Sequence, residues 1–215
     1  AIAKNKRLPF LNWSQREKIA ANLIGVSEVV PQEDWDYGPN IVRYKPDYFV
    51  HGDDWLNEPT YLRDNAIKAL DLVGGKLVEI PHTPDISSTS QSSNAIRDGI
   101  SPDARRATLR RLLNSKRLSL FMEAHSPISA LIAEKVSVPK HHGKSFFDGF
   151  WSSSLTDSTE MGKPDIEAVD ITTRLSNINN IFEVTTKPLI MDADTGGKVE
   201  HFTLNVRSME RLGVS

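Results

Sequence analysis

The chain has 215 residues, a formal net charge of −2 and no cysteine, so disulfides and thiolate chemistry are excluded and nothing in the charge calls for a nucleic-acid or membrane partner. Its 39% hydrophobic and 25% charged residues are ordinary soluble proportions, enough for one or two domains. No signal peptide and no apolar run near the roughly 18 residues of a membrane span is read in the sequence, and the lack of cysteine fits a reducing cytoplasm, the expected location.

The chain begins at Ala1 and stops at Ser215, just past an apolar helical stretch, and both ends are expected to be cuts. Ser14-Gln15-Arg16-Glu17 reads as a capping box, because hydroxyl and carboxylate can satisfy opposite orphan amides. Ile19, Leu23 and Ile24 follow at helical spacing, with Gly25 as the stop. Residues 26–30 form a short apolar run ended by Pro31, and residues 46–51 a second; both are predicted strands. After the acidic turn Gly52-Asp53-Asp54-Trp55 a helix is predicted over 60–72, ended by Gly74-Gly75, and then a strand over 76–80. Helices alternating with apolar strands argue for a parallel α/β sheet.

Residues 87–93 are rich in hydroxyls and read as a loop running into 94–99. A basic helix is predicted over 102–116, with Pro102 suited to its first turn and Arg105, Arg106, Arg110 and Arg111 along it. It reads first as a solvated face or linker, and second as an interdomain brace or a phosphate contact. From Leu118 the rhythm restarts: strand 118–123, helix 126–136, strand 146–151 with a Ser-rich turn, helix 166–184, strand 187–192, helix 199–212, and the entry to a fourth strand at 213–215. Polar residues gather just after the strands, where a β/α barrel builds its active site. A complete barrel takes about 250 residues, and only about 100 follow Leu118, so a barrel cut near its fourth strand is expected.

Three motifs carry chemistry. Pro188-Leu189-Ile190-Met191-Asp192-Ala193-Asp194-Thr195-Gly196-Gly197 delivers two carboxylates two positions apart, on one side of a pleat. Like charges that close repel and call for a cation. All-oxygen ligands suit Mg²⁺, which keeps several waters and takes few carboxylates directly. The glycines let backbone pass close to a ligand. The alternative is a plain strand end with an Asp turn. Phe150-Trp151-Ser152-Ser153-Ser154-Leu155 could cradle an oxyanion with backbone amides and hydroxyls, or could be an ordinary Ser-rich turn. In Gly162-Lys163-Pro164-Asp165-Ile166-Glu167, Asp165 could cap the next helix or take part in catalysis.

In this order and spacing the three motifs, with the stretch from Glu200-His201-Phe202 to Leu212-Gly213-Val214-Ser215, resemble the phosphoenolpyruvate phosphomutase family of the isocitrate lyase superfamily. The resemblance implies conversion of phosphoenolpyruvate to phosphonopyruvate, the carbon–phosphorus bond-forming step of phosphonate biosynthesis. It implies Mg²⁺ at Asp192, with Asp194 acting on the metal through water. Trp151, Ser153, Ser154 and Leu155 match the substrate loop, where Ser154 stands at a position relatives often give to Gly. Asp165 matches an essential Asp on a mobile gating segment. A further metal-site acid and a gating-loop Lys and Asn are expected beyond Ser215. A phosphonopyruvate hydrolase or a C–C lyase of the same superfamily shares Asp192, Asp194 and Asp165.

The first hundred residues resemble the cytidylyltransferase domain fused ahead of some such mutases, through Lys6-Arg7-Leu8-Pro9-Phe10, Arg16, His51-Gly52-Asp53-Asp54-Trp55 and Ile86-Ser87-Ser88-Thr89-Ser90. The resemblance implies CTP contacts from Gly52, Asp53, Asp54, Trp55, Ser87, Ser88 and Thr89, a hydroxyl-bearing helix start being a ready phosphate site. Its His-x-Gly-His motif is expected to precede Ala1, so a nucleotide-binding remnant without catalysis is a third reading. The predicted architecture is α/β: the C-terminal part of a Rossmann-like nucleotidyltransferase domain over 1–100, a linker helix over 101–117, and the first three to four β/α units of a TIM-type (β/α)8 barrel over 118–215. The full-length protein is expected to be a homo-oligomer. His51 and His82 could face nucleotide and His125 the mutase site, although each histidine is more often structural.

Overall fold

The computed structural model describes residues 8–53, 55, 61–81, 99–115, 118–139 and 144–215. They form two compact units, one before residue 86 and one after it, each α/β. Asp54, Ser87, Ser88, Thr89 and His82, with the loop predicted at 87–93, lie outside the described residues.

In the first unit α1 spans Trp13–Ala21 and its cap is Asn12, two residues ahead of the predicted Ser14. Asn-x-x-Gln here performs the work expected of Ser-x-x-Glu: Gln15 N–H donates to Asn12 Oδ1 at 3.0 Å, and Asn12 N–H to Gln15 Oε1 at 2.9 Å. The apolar spacing of Ile19 and Leu23 did not signal a buried face, since α1 buries no residue. Among the described residues, 26–30 pair with no strand, so the predicted strand is an irregular connection.

A helix the periodicity did not reveal, α2 (Gly38–Tyr44), follows. Asp36 fixes its start by accepting Gly38 N–H at 2.9 Å and tying down Asn65 at 2.8 Å. Strand β1 (Tyr48–Gly52), helix α3 (Tyr61–Val73) and strand β2 (Lys76–Ile80) then form the expected parallel unit, in register from Tyr48↔Lys76 to Gly52↔Ile80. Ala66, Ala69 and Leu70 recur at helical spacing and pack with Ile41 and Trp55 as the core. The turn between α3 and β2 needs its second glycine, because a Cβ on Gly75 would stand 2.4 Å from the Pro46 carbonyl oxygen.

The second unit opens with α4 (Pro102–Ser115), which is more than a solvated basic face. Arg105 is buried and donates to the carbonyls of Thr185 and Lys187 at 2.8 and 2.9 Å, with its guanidinium 3.9 Å from the Phe182 ring centre. Strand β3 (Phe121–Glu123) leads to α5 (Pro127–Lys135), capped by Ser126. An antiparallel hairpin of β4 (Ser137–Pro139) and β5 (Lys144–Phe146) comes next, so Phe146 belongs to the hairpin and not to the strand predicted from it. The Trp-Ser-Ser-Ser-Leu motif begins in β6 (Gly149–Ser152) and continues into α6 (Ser154–Glu160), a helix where a turn was predicted. Helix α7 (Ile171–Phe182) is shorter than the predicted 166–184 because Asp170 caps it, accepting Thr173 N–H at 3.0 Å. Strand β7 (Leu189–Met191), a short 3-10 turn (Val199–His201) and α8 (Phe202–Leu212) complete the unit.

Strands β3, β6 and β7 are parallel neighbours in chain order. Their carboxyl ends, at Glu123, Ser152 and Met191, therefore open on one edge, and both Asp192 and the serine run follow directly from that edge. Phe150 and Leu189, in the two inner positions, are fully buried with Ile178 and Ile181 of α7. Beyond α8, Ser215 N–H donates to the Leu189 carbonyl at 2.9 Å. Among the described residues no helix is long and apolar enough to cross a membrane.

Candidate functional site

The site of the second unit is built at the ends of β6 and β7. Asp192 N–H donates to the Ser152 carbonyl at 2.9 Å, which fixes where the chain leaves β7. Ser154, buried as the first residue of α6, donates its hydroxyl to Asp192 Oδ2 at 3.0 Å. Asp194 has φ of 53° and its N–H donates to Asp192 Oδ1 at 3.0 Å. The Asp194 amide is the largest influence holding the half-buried Asp192 carboxyl below its usual range; burial opposes it, while Ser154 and the nearby Arg174 reinforce it. Two motifs predicted to share a site thus meet.

Arg174 of α7, absent from the sequence reading, organises the rest. It is 2% exposed. Its Nε donates to Asp157 Oδ2 at 2.8 Å, its Nη1 to Asp194 Oδ2 at 3.0 Å and its Nη2 to the Ser152 hydroxyl at 3.4 Å. Ser152 in turn donates to Asp157 at 3.1 Å, closing the network. The signal was in the sequence: Ile171, Arg174, Ile178 and Ile181 occupy one helical stripe, and an arginine on the core side of a stripe requires buried acceptors. Glu123 at the end of β3 also reaches this edge, accepting the Thr156 hydroxyl.

The other predicted residues are placed less centrally. Trp151 and Leu155 are exposed, and Ser153 is the N-cap of α6. Asp165 lies on the exposed stretch 162–168, outside the hydrogen bonds that join Ser154, Asp192, Asp194 and Arg174. Two residues on, Glu167 ties that stretch to the loop after β7 by accepting Thr195 N–H at 3.0 Å and the Thr195 hydroxyl, contacts that lower its carboxyl. The glycines after Asp194 serve the turn itself: Gly196 and Gly197 have φ of 83° and 81°, and a Cβ on Gly196 would press on the Phe202 ring.

A divalent cation fits this donor set in one way. Among the described residues no three acidic or histidine side chains converge as a ready-made metal cage. Asp194 spends its charge on Arg174, so the cation its closeness to Asp192 seemed to require is partly built in. Asp192 keeps an ionised carboxylate that accepts from Asp194 and Ser154 and still has lone pairs to offer. One carboxylate plus water and substrate oxygens is the habit of Mg²⁺.

In the first unit the acidic turn stands at the end of β1. Trp55 is buried, and its indole N–H donates to Glu79 Oε1 at 2.9 Å. Arg63 grips the same carboxylate at 2.9 and 3.0 Å, and these contacts, Arg63 foremost, pull Glu79 down to about 2. His51 stacks on Trp55 with ring centres 3.9 Å apart, and bonds the Tyr37 hydroxyl at 3.1 Å and the Gly52 carbonyl at 2.8 Å. Gly52 and Asp53 are half-buried beside this stack. Of the two roles open to His51, nucleotide contact or a structural one, its geometry fits the structural, since both ring nitrogens are engaged within the unit.

Comparison with known proteins divides the chain similarly. Residues 109–215 match the family model of phosphoenolpyruvate phosphomutase, and residues 1–97 match that of cytidylyltransferase-like proteins. A phosphoenolpyruvate phosphomutase of Tetrahymena pyriformis is 28% identical over 124 residues, 57% of this chain and 38% of that protein. A phosphonopyruvate hydrolase of Variovorax sp. (strain Pal2) is 33% identical over 108 residues, 50% of this chain and 34% of that protein. The solved phosphoenolpyruvate phosphomutase of Streptomyces platensis subsp. rosaceus is 30% identical with a TM-score of 0.45, covering 51% of this chain and 35% of its own. The chain spans 34–38% of the length of the curated relatives it matches.

Proposed function

We propose that this chain, whose residues 109–215 belong to the phosphoenolpyruvate phosphomutase family behind a cytidylyltransferase-like segment, serves phosphonate biosynthesis by isomerising phosphoenolpyruvate to phosphonopyruvate. The observation that carries this reading is the bond from Ser154 to Asp192, which unites the substrate-loop and carboxylate motifs at the ends of adjacent parallel strands. Those strands, in chain order, support reading the second unit as the opening of a (β/α)8 barrel with its site on the carboxyl edge.

In the proposed reaction the phosphoryl P–O bond breaks, the group passes as a metaphosphate-like species, and a P–C bond forms at the methylene carbon as the enolate oxygen becomes a ketone. No proton or oxidant is consumed. So loose a transition state is stabilised mainly by position and charge. Asp192 would hold Mg²⁺, which when bound supplies positive charge to the enolate and phosphoryl oxygens. Trp151, Ser153, Ser154 and Leu155 hold the substrate, and Asp165 covers it from its exposed loop. The cytidylyltransferase-like segment, with Gly52, Asp53, Asp54, Trp55, Ser87, Ser88 and Thr89 as its expected contacts, binds CTP for transfer to a phosphonate.

A hydrolase reading keeps the same residues and is favoured by the 33% identity to the Variovorax enzyme. One experiment separates them. The full-length protein is given phosphonopyruvate and Mg²⁺ and followed by ³¹P NMR. Phosphoenolpyruvate is expected. Pyruvate with inorganic phosphate would establish the hydrolase, and untouched phosphonopyruvate would refute both.

A further inference from the structure

Four charged side chains meet behind the β7 loop: Arg174, Asp157, Asp194 and Asp192. Arg174 and Asp157 are buried with side chains 1% and 4% exposed, whereas the Asp194 side chain is 20% exposed. The guanidinium faces Asp157 with Nε and Asp194 with Nη1, and so holds both carboxylates in one plane of donors. Asp192 accepts hydrogen bonds from the Asp194 amide and from Ser154, which are neutral donors, and feels the Arg174 charge only at a distance. The two acids that sequence makes look equivalent are thus unequal: Asp194 is paired with a buried guanidinium, whereas half-buried Asp192 is held by neutral donors.

We infer that Arg174 is a positioning residue that withdraws Asp194 from direct cation binding and leaves Asp192 as the sole carboxylate of the pair offered to a divalent ion. The four side chains together carry a charge of about −2 when ionised, which a single divalent cation cancels. Without the arginine, Asp194 could swing the short distance to the same ion, and the site would bind it more tightly in the wrong geometry. Arg174 in this view trades affinity for position. The inference rests on the metal reading of Asp192 given above.

The test uses Mn²⁺ as the probe, titrated into the full-length protein and read by electron paramagnetic resonance, with no substrate and no turnover. The paired variant Arg174→Gln/Asp157→Asn keeps the summed charge of the four side chains unchanged while releasing Asp194. It is expected to bind Mn²⁺ about tenfold more tightly, since ligand charge count tunes affinity. Adding Asp194→Asn is expected to remove that gain. A merely structural strut predicts weaker or unchanged binding, and that result in a protein with an intact thermal melt would overturn the inference. Should the amide pair not fold, Arg174→Met/Asp157→Leu carries the same charge balance with an apolar filling. A further arm leaves the buried pair alone: Asp192→Asn is expected to weaken Mn²⁺ about tenfold more than Asp194→Asn does, and equal losses would overturn the inference. If Asp192→Asn leaves Mn²⁺ binding untouched, the metal reading itself fails, whatever Arg174 does.

Discussion

Gly149 is the tightest point of the sheet that carries the site, and replacing it with alanine tests the parallel order of β3, β6 and β7. Gly149 pairs with Phe121 of β3. A Cβ there would stand 2.4 Å from Phe121 Cε1 and 2.6 Å from the Pro188 carbonyl oxygen. The phenyl ring can swing aside. The carbonyl cannot, because it accepts Phe150 N–H at 2.9 Å and sits beside fully buried Phe150. Overpacking of this kind costs about 1–3 kcal/mol, and a strained ladder hydrogen bond adds about 1 kcal/mol. Gly149→Ala should therefore destabilise by about 2–4 kcal/mol in urea unfolding, lowering the midpoint by about 1–2 M at a slope near 2 kcal/mol/M. Gly162→Ala is the control: its φ of 63° is strained for alanine but nothing lies within 4 Å, so only the roughly 1 kcal/mol of backbone cost applies. A Gly149→Ala midpoint equal to or above that of Gly162→Ala would refute the close three-strand packing.

Asp192→Asn in the full-length enzyme should cut turnover by about 10²-fold or more through loss of charge stabilisation; near-normal rates at saturating Mg²⁺ would remove Asp192 from the mechanism. Asp54→Ala should weaken CTP binding, measured calorimetrically, while leaving mutase turnover intact, and joint loss of both would argue against separate sites. Glu79, held at about 2 by Arg63 and Trp55, contributes stability that is complete above its ordinary value of 4.5 and disappears as pH falls through about 2. Glu79→Gln should accordingly flatten the acid limb of the first unit's stability curve between those values, and an unchanged limb would sink the assignment. Arg105→Met strips donors from the Thr185 and Lys187 carbonyls and should cost about 2–4 kcal/mol in chemical denaturation; a cost under about 0.5 kcal/mol would return α4 to the status of a solvated linker.

Period and punctuation made much of the fold legible. The β1–α3–β2 unit was readable because Ala66, Ala69 and Leu70 lie on one helical stripe and Gly74-Gly75 ends it, and β2 falls on the predicted residues. Residues 26–30 misled because apolar composition alone does not create a ladder partner. Helix α2 escaped notice because it is seven residues long and its start depends on Asp36, whose partner Asn65 is 29 positions away. The hairpin of β4 and β5 was hidden because each strand is three residues long and Phe146 reads with the apolar run that follows it. At the site, Asp192 and Ser154 were legible from their motifs. Asp157 and Arg174 were not, since neither belongs to a motif and their meaning lies in a contact across 17 positions.

The unequal fates of Asp192 and Asp194 show why a carboxylate pair read from a strand end remains ambiguous. Two acids at i and i+2 share a side of an ideal pleat, and on that geometry alone both would face one cation. The chain departs from the pleat at once: Asp194 takes φ of 53°, its amide folds back onto Asp192, and its side chain turns inward to Arg174. The turn that breaks the alternation is what the following Gly196 and Gly197 make possible, at φ of 83° and 81° against Phe202 and Asn205 of α8. The Asp-x-Asp-x-Gly-Gly pattern therefore specifies a reversal as much as a charge. The difference between the acids comes from α7, whose buried guanidinium bonds Asp194 directly and reaches Asp192 only through space.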